Sequence, residues 1–112
     1  MLELAWYCPS EVDGHHLGTQ APERPPTFDY LLRVTRAAER AGAREILIPT
    51  GAVNDSFAPD APFAESWTTA AALAANTPSI RLIVAPNPAG TSAPLAAHQA
   101  ETLARLAPAP IA

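Results

Sequence analysis

The chain has 112 residues, 48% of them hydrophobic, and a formal net charge of −4 from 11 acidic and 7 basic side chains, the makings of one ordinary domain with a core. Every basic residue is an arginine, scattered singly from Arg24 to Arg105, so no positive stripe exists to neutralise phosphates and nucleic acid is not an expected partner. The lone Cys8 has no disulfide mate and no Cys/His spacing for zinc. No leader and no uninterrupted run of about 18 apolar residues occurs, so the expected setting is the reducing cytoplasm and not a membrane.

Leu2 to Cys8 is a short, mostly apolar run that predicts a strand buried on both faces. A Gly-, His- and Pro-containing loop follows to Pro26, longer than a usual strand-to-helix connection, and such loops tend to be functional or mobile. Thr27 then caps a helix whose apolar positions Phe28, Leu31, Val34, Ala38 and Ala41 recur every three or four residues, with Gly42 as its left-handed stop. Only Ala43 and Arg44 separate this helix from the strand Glu45–Ile48, a connection typical of repeating βα units.

A second Pro- and Asp-containing loop runs to Pro62, where Asp60 as cap and Pro62 in the first turn predict a helix through Phe63, Trp67, Ala70, Ala71 and Ala74. It should end near Asn76, because Pro78 disfavours helical geometry at Thr77. Arg81 to Ala85 reads as the third strand, and Ser92 as the cap of a third helix carrying Leu95, Gln99, Thr102, Leu103 and Leu106. Pro108 and Pro110 are expected to end the order. The alternation of strand and helix predicts an α/β fold with parallel strands joined by right-handed crossovers, all in one domain spanning 1–112.

In such folds ligands sit at the carboxyl ends of the strands, which selects three clusters. The first is Tyr7 and Cys8 with the loop Asp13-Gly14-His15-His16-Leu17-Gly18, where His15 or His16 can donate to an anion or shuttle a proton near neutral pH. Two solvated loop histidines explain the pair equally well. The second is Pro49-Thr50-Gly51, where Thr50 offers a hydroxyl and Gly51 permits close backbone approach, or a plain turn ends the strand. Asn54, Asp55, Glu65 and Trp67 belong to the same rim, Trp67 reading as core before stacking partner. The third is Ala85-Pro86-Asn87-Pro88, where Asn87 offers an amide. Ala85-Pro86 can reach the cis form for about 1 kcal/mol, although an ordinary trans turn is favoured beforehand. Neither a Gly-rich phosphate loop nor a Gly-x-Ser-x-Gly elbow occurs, and no side chain carries electrons, so redox chemistry would need a borrowed cofactor.

Trp6 through Asp13-Gly14-His15-His16-Leu17-Gly18-Thr19, then Ile46-Leu47-Ile48-Pro49-Thr50-Gly51, Trp67, and Ser92 through Leu106 together resemble the amino-terminal part of the bacterial-luciferase-like flavin monooxygenases. Within that group the chain is most similar to alkanesulfonate monooxygenase. The resemblance implies the first three βα units of a (β/α)8 TIM barrel, an incomplete barrel. It further implies a site for reduced FMN supplied by a flavin reductase, and oxygenation of a small-molecule substrate such as an alkanesulfonate. Tyr7, Thr50, Ala85, Pro86 and Asn87 would then bind the cofactor, His15 and His16 would be catalytic, and Ala85-Pro86 would take the place of a cis peptide often found against the flavin ring.

The chain departs from that pattern in places. A Cys after the second strand has no counterpart in Ala52–Phe63, His98 stands where an Arg is usual, and the later βα units do not follow Leu106. Three such strands would expose an apolar inner face and unpaired edges, so association with a second copy or a complementing barrel fragment is expected, and an inactive truncated product is the non-enzymatic alternative. A third reading keeps the fold and takes deazaflavin F420 for hydride transfer.

Overall fold

The structure is a computed structural model, and it describes residues 2–10, 24–49, 64–87 and 90–112. Three strands, β1 (Ala5–Tyr7), β2 (Glu45–Ile48) and β3 (Arg81–Val84), alternate with three helices, α1 (Phe28–Arg40), α2 (Ser66–Ala74) and α3 (Ala93–Leu106). The strands are parallel and lie in the order β1-β2-β3. Among the described residues spatial order follows chain order, as it does in a (β/α)8 barrel. The parallel strands are those the alternation in the sequence implies, and the architecture is that of the first βα units of such a barrel, as the family resemblance implies.

Local chemistry sets the helix limits. Thr27 Oγ1 accepts the Tyr30 N–H at 3.3 Å and starts α1. At its other end Gly42 N–H donates to the Glu39 carbonyl and Ala43 N–H to that of Ala38, with Gly42 at φ +96°, a left-handed stop that other residues adopt only at a cost. Ser92 Oγ caps α3 by accepting the Leu95 N–H at 3.4 Å. The start of α2 differs from the expectation: Glu65 is its cap, and Ala64 and Glu65 before it are not helical, while Asp60 and Pro62 lie outside the described residues. The longer Glu side chain folds back so that its carboxylate accepts from Trp67 N–H at 2.9 Å and Thr68 N–H at 2.8 Å, which propensity tables for caps do not anticipate.

The core lies on the helix-covered face of the sheet. Ile46, Ile48 and Leu82 are fully buried and Val84 nearly so, packed with Leu31 of α1, Ala70, Leu73 and Ala74 of α2, and Leu103 of α3. Burying one such aliphatic side chain contributes about 1.5–3 kcal/mol. The register places Tyr7, Leu47 and Ile83 in one row of the opposite face and Ala5, Glu45 and Arg81 in another. In a barrel that opposite face is the interior.

Two expectations are corrected. β1 is not buried on both faces: all three of its residues are exposed, Trp6 to 56%, because the strand is the sheet's edge and no described helix covers its outer side. Order also does not end at Pro108 and Pro110. The Leu82 and Val84 N–H groups donate to the Pro110 and Ala112 carbonyls, Ala112 N–H returns a bond to the Leu82 carbonyl, and Ile111 pairs in parallel with Leu82. Residues 110–112 thus extend the sheet beyond β3. Pro110 is tolerated because only its carbonyl, and no N–H, is required at that point.

Candidate functional site

Parallel pairing puts the carboxyl ends of all three strands on one edge of the sheet. Tyr7, the last residue of β1, is in register with Leu47, and Leu47 with Ile83. Just past the strand ends, Ala85 N–H donates to the Ile48 carbonyl at 3.2 Å and Cys8 N–H to that of Leu47 at 2.8 Å. Tyr7 and Ala85 therefore share a rim. His15, His16, Thr50 and Gly51, expected on the same rim, lie outside the described residues, as do Asp13, Asn54, Asp55 and Pro88.

The turn after β3 is built from its own backbone. The Asn87 carbonyl accepts from Gly90 N–H at 3.1 Å and Thr91 N–H at 2.9 Å, delivering the chain to the Ser92 cap. Pro86 is exposed there, with Ala85 and Asn87 half-buried beside it. The cis bond suggested for Ala85-Pro86 is corrected: no described peptide bond is cis, and the ordinary trans turn suffices because the Ile48 and Asn87 carbonyls already fix it.

Among the described residues charge at this rim is sparse. A helix N-terminus can hold an anion through its free N–H groups, and here Thr27 takes that of Tyr30, Glu65 those of Trp67 and Thr68, and Ser92 that of Leu95. Glu65 adds a negative charge: partial burial pushes its pKa up, but hydrogen bonds from the Thr68 and Trp67 backbones, with Thr68 and Ser66 side chains, outweigh this and hold it below the usual range. Arg24, ahead of α1, sits over the Tyr30 ring at 5.7 Å. The described rim thus offers a surface for a flat, uncharged group. Its inner wall is the aromatic ring of Tyr7, 44% exposed, with half-buried Leu47 and Ile83.

Cys8, at the same end of β1, is fully buried, and desolvation pushes its thiol up to about 12, so it stays protonated and unreactive. Trp67 packs against the core, as its place on an apolar helix face suggested. Ser10 is a residue that sequence reasoning passed over. It is fully buried, its backbone is held by bonds to the Cys8 carbonyl and from Ala64 N–H, both 2.8 Å, and its hydroxyl has no hydrogen-bond partner. Such an orphan costs about 1–3 kcal/mol. A serine two residues beyond a strand carries no signal that would have singled it out, because burial depends on what other segments lay over it.

Other features point away from the opposite end of the sheet. A polar hollow of about 430 Å³ at the amino ends of the strands is lined by Glu3, Arg44, Glu45, Ser79 and Arg81 among others, with Arg81 paired to Glu45 at 2.8 Å. In parallel α/β folds that end serves stability. Among the described residues no group of three metal-ligating side chains occurs and no helix is long and apolar enough to cross a membrane.

A parallel sheet in chain order, with its candidate site at the carboxyl ends of the strands, fits the barrel-type α/β class. More particularly, the family model of the luciferase-like monooxygenases matches residues 2–108, and the chain belongs to that family. Its members generally use flavin or F420 cofactors.

Proposed function

We propose that the chain contributes the first part of an FMN-dependent monooxygenase that oxygenates an alkanesulfonate or a similar small organic molecule. The observation that carries this reading is the rim itself: Tyr7, Leu47, Ile83 and Ala85 form a largely apolar wall at the carboxyl ends of parallel strands. That wall fits one face of an isoalloxazine ring. When bound, the reduced flavin supplies the two electrons with which O2 gives one oxygen atom to the substrate and one to water.

The protein's own part is binding and exclusion of water. Tyr7 and the aliphatic pair beneath it keep solvent from one side of the ring, Asn87 and the Ala85-Pro86 turn fix its edge, and Thr50 adds a hydroxyl at the end of β2. His15 or His16 holds or moves the proton that oxygen reduction consumes. A flavin reductase is the partner that delivers the reduced cofactor. The unpaired outer edges of β1 and of residues 110–112 among the described residues favour a rim completed by further parallel strands, from the same polypeptide or from a complementing one.

Anaerobic titration with reduced FMN and, separately, reduced F420 tests the reading. The expected outcome is saturable binding of reduced FMN in preference to F420, followed by release of sulfite when O2, an alkanesulfonate and a reductase are supplied. Binding of F420 alone would replace it with hydride transfer without O2.

A further inference from the structure

We propose that the sheet docks against a second copy of this chain, the β1 edge of each copy pairing with residues 110–112 of the other, so that two copies close an eight-stranded parallel barrel and complete each other's rim. The inference rests on the barrel fold and is independent of the flavin reading, which leaves open where the further strands come from. Strand count is the first observation. β1, β2, β3 and residues 110–112 are four parallel strands in one order, half of the eight in a (β/α)8 barrel. A two-fold axis along the barrel generates the other half with every strand still parallel, and both seams are then the same pairing of β1 with residues 110–112. Such an arrangement closes after two copies and leaves no edge.

The two edges are open in complementary ways. In residues 110–112 the Pro110 carbonyl and both Ala112 backbone groups serve β3, so strand alternation turns the Ile111 N–H and carbonyl outward, where they have no partner among the described residues. At β1 the Leu4 carbonyl and Cys8 N–H serve β2, so the Ala5 backbone faces away from the sheet. Apolar surface is also uncovered at both flanks. Trp6 is in register with buried Ile46, Leu4 and Leu2 precede it at the alternate positions of an extended chain, and all three are exposed, Leu2 to 84%. At the other flank α3, which connects β3 to residues 110–112, buries Leu103 but exposes Leu95 and Leu106, about three turns apart on one face. Closing the seam sets these two apolar stripes on the same outer side of the barrel and makes Tyr7, Leu47 and Ile83 part of a shared interior. Monomers rarely leave so much apolar surface open. Each edge lacks what the other edge of the same chain offers, an outward donor and acceptor with an apolar stripe beside them, and a second copy is therefore the occupant.

Sedimentation velocity over a micromolar concentration series tests the pairing. The wild type is expected to run as a dimer. Ile111→Pro removes the outward N–H without touching a bond to β3, and Leu4→Glu and Leu106→Arg each put a charge on one of the exposed stripes. Each variant is expected to weaken the dimer about tenfold or more, with helix content by circular dichroism unchanged. Should Ile111→Pro unfold, the two charge variants sit at exposed positions and carry the test. Mixing Leu4→Glu with Leu106→Arg should restore association, since opposite charges then meet across one seam and unaltered leucines across the other. A dimer weakened by Leu4→Glu alone would pair β1 with β1 and overturns the proposal. A monomeric wild type, open-ended oligomers or no rescue on mixing overturn it too, the monomer leaving both edges to further strands of a longer polypeptide or of a different protein.

Discussion

The two faces of the sheet are made of similar residues and fare differently. On the helix side Ile46, Ile48 and Leu82 are sealed and Val84 is 7% exposed, whereas across the same strands Leu47 and Ile83 are half-buried and Tyr7 is 44% exposed. Sequence hydrophobicity does not separate Ile46 from Leu47 or Leu82 from Ile83. Position over α1 and α2 does, so one face supplies the stability of the described fold and the other is left for ligand or for further strands.

The sharpest way to break that comparison is a pair of truncations. Ile46→Ala should cost about 2–5 kcal/mol in urea unfolding, whereas Ile83→Ala should cost about 1 kcal/mol or less, since only a fraction of its apolar area is removed from water. Equal losses would mean that the inner face is packed in solution. Cys8 tests the seal on the buried side by pH. Burial pushes its folded thiol up to about 12 from an ordinary value of 9.0, so the protonated form is favoured by folding. That contribution is complete below pH 9 and is lost as pH rises from there through 12. Cys8→Ala should lessen the alkaline loss, and wild-type Cys8 should label with iodoacetamide at pH 8 only as fast as the chain opens.

Glu65 gives a smaller effect of opposite sign. Its folded pKa lies below the ordinary value of 4.5, so its contribution is present above that value and lost as pH falls through the folded one. Glu65→Ala should cost about 1 kcal/mol at pH 7 by losing the α2 cap, with a difference from wild type that shrinks toward pH 3. The smallest change is expected at the amino end of the inner face, where Arg81 and Glu45 pair with side chains 53% and 22% exposed. A double-mutant cycle with Arg81→Ala and Glu45→Ala should give a coupling of about 0.2–1 kcal/mol, weakening in salt.

What the sequence determined by itself is whatever depends on neighbours a few residues apart. Thr27, Gly42 and Ser92 act within one helical turn, and the alternation of apolar strand and amphipathic helix dictates parallel crossovers, so two caps, one stop and the parallel sheet were legible. The family was legible too, because its motifs recur in order along the chain. Tertiary structure decided the rest. It made β1 an exposed edge, since burial depends on which helix lies over a strand, and it drew residues 110–112 alongside β3, since a proline that ends a helix can still present a carbonyl to a ladder. It also tied the Ser10 carbonyl to Ala64 N–H, a bond between segments far apart in sequence and therefore invisible to any local rule.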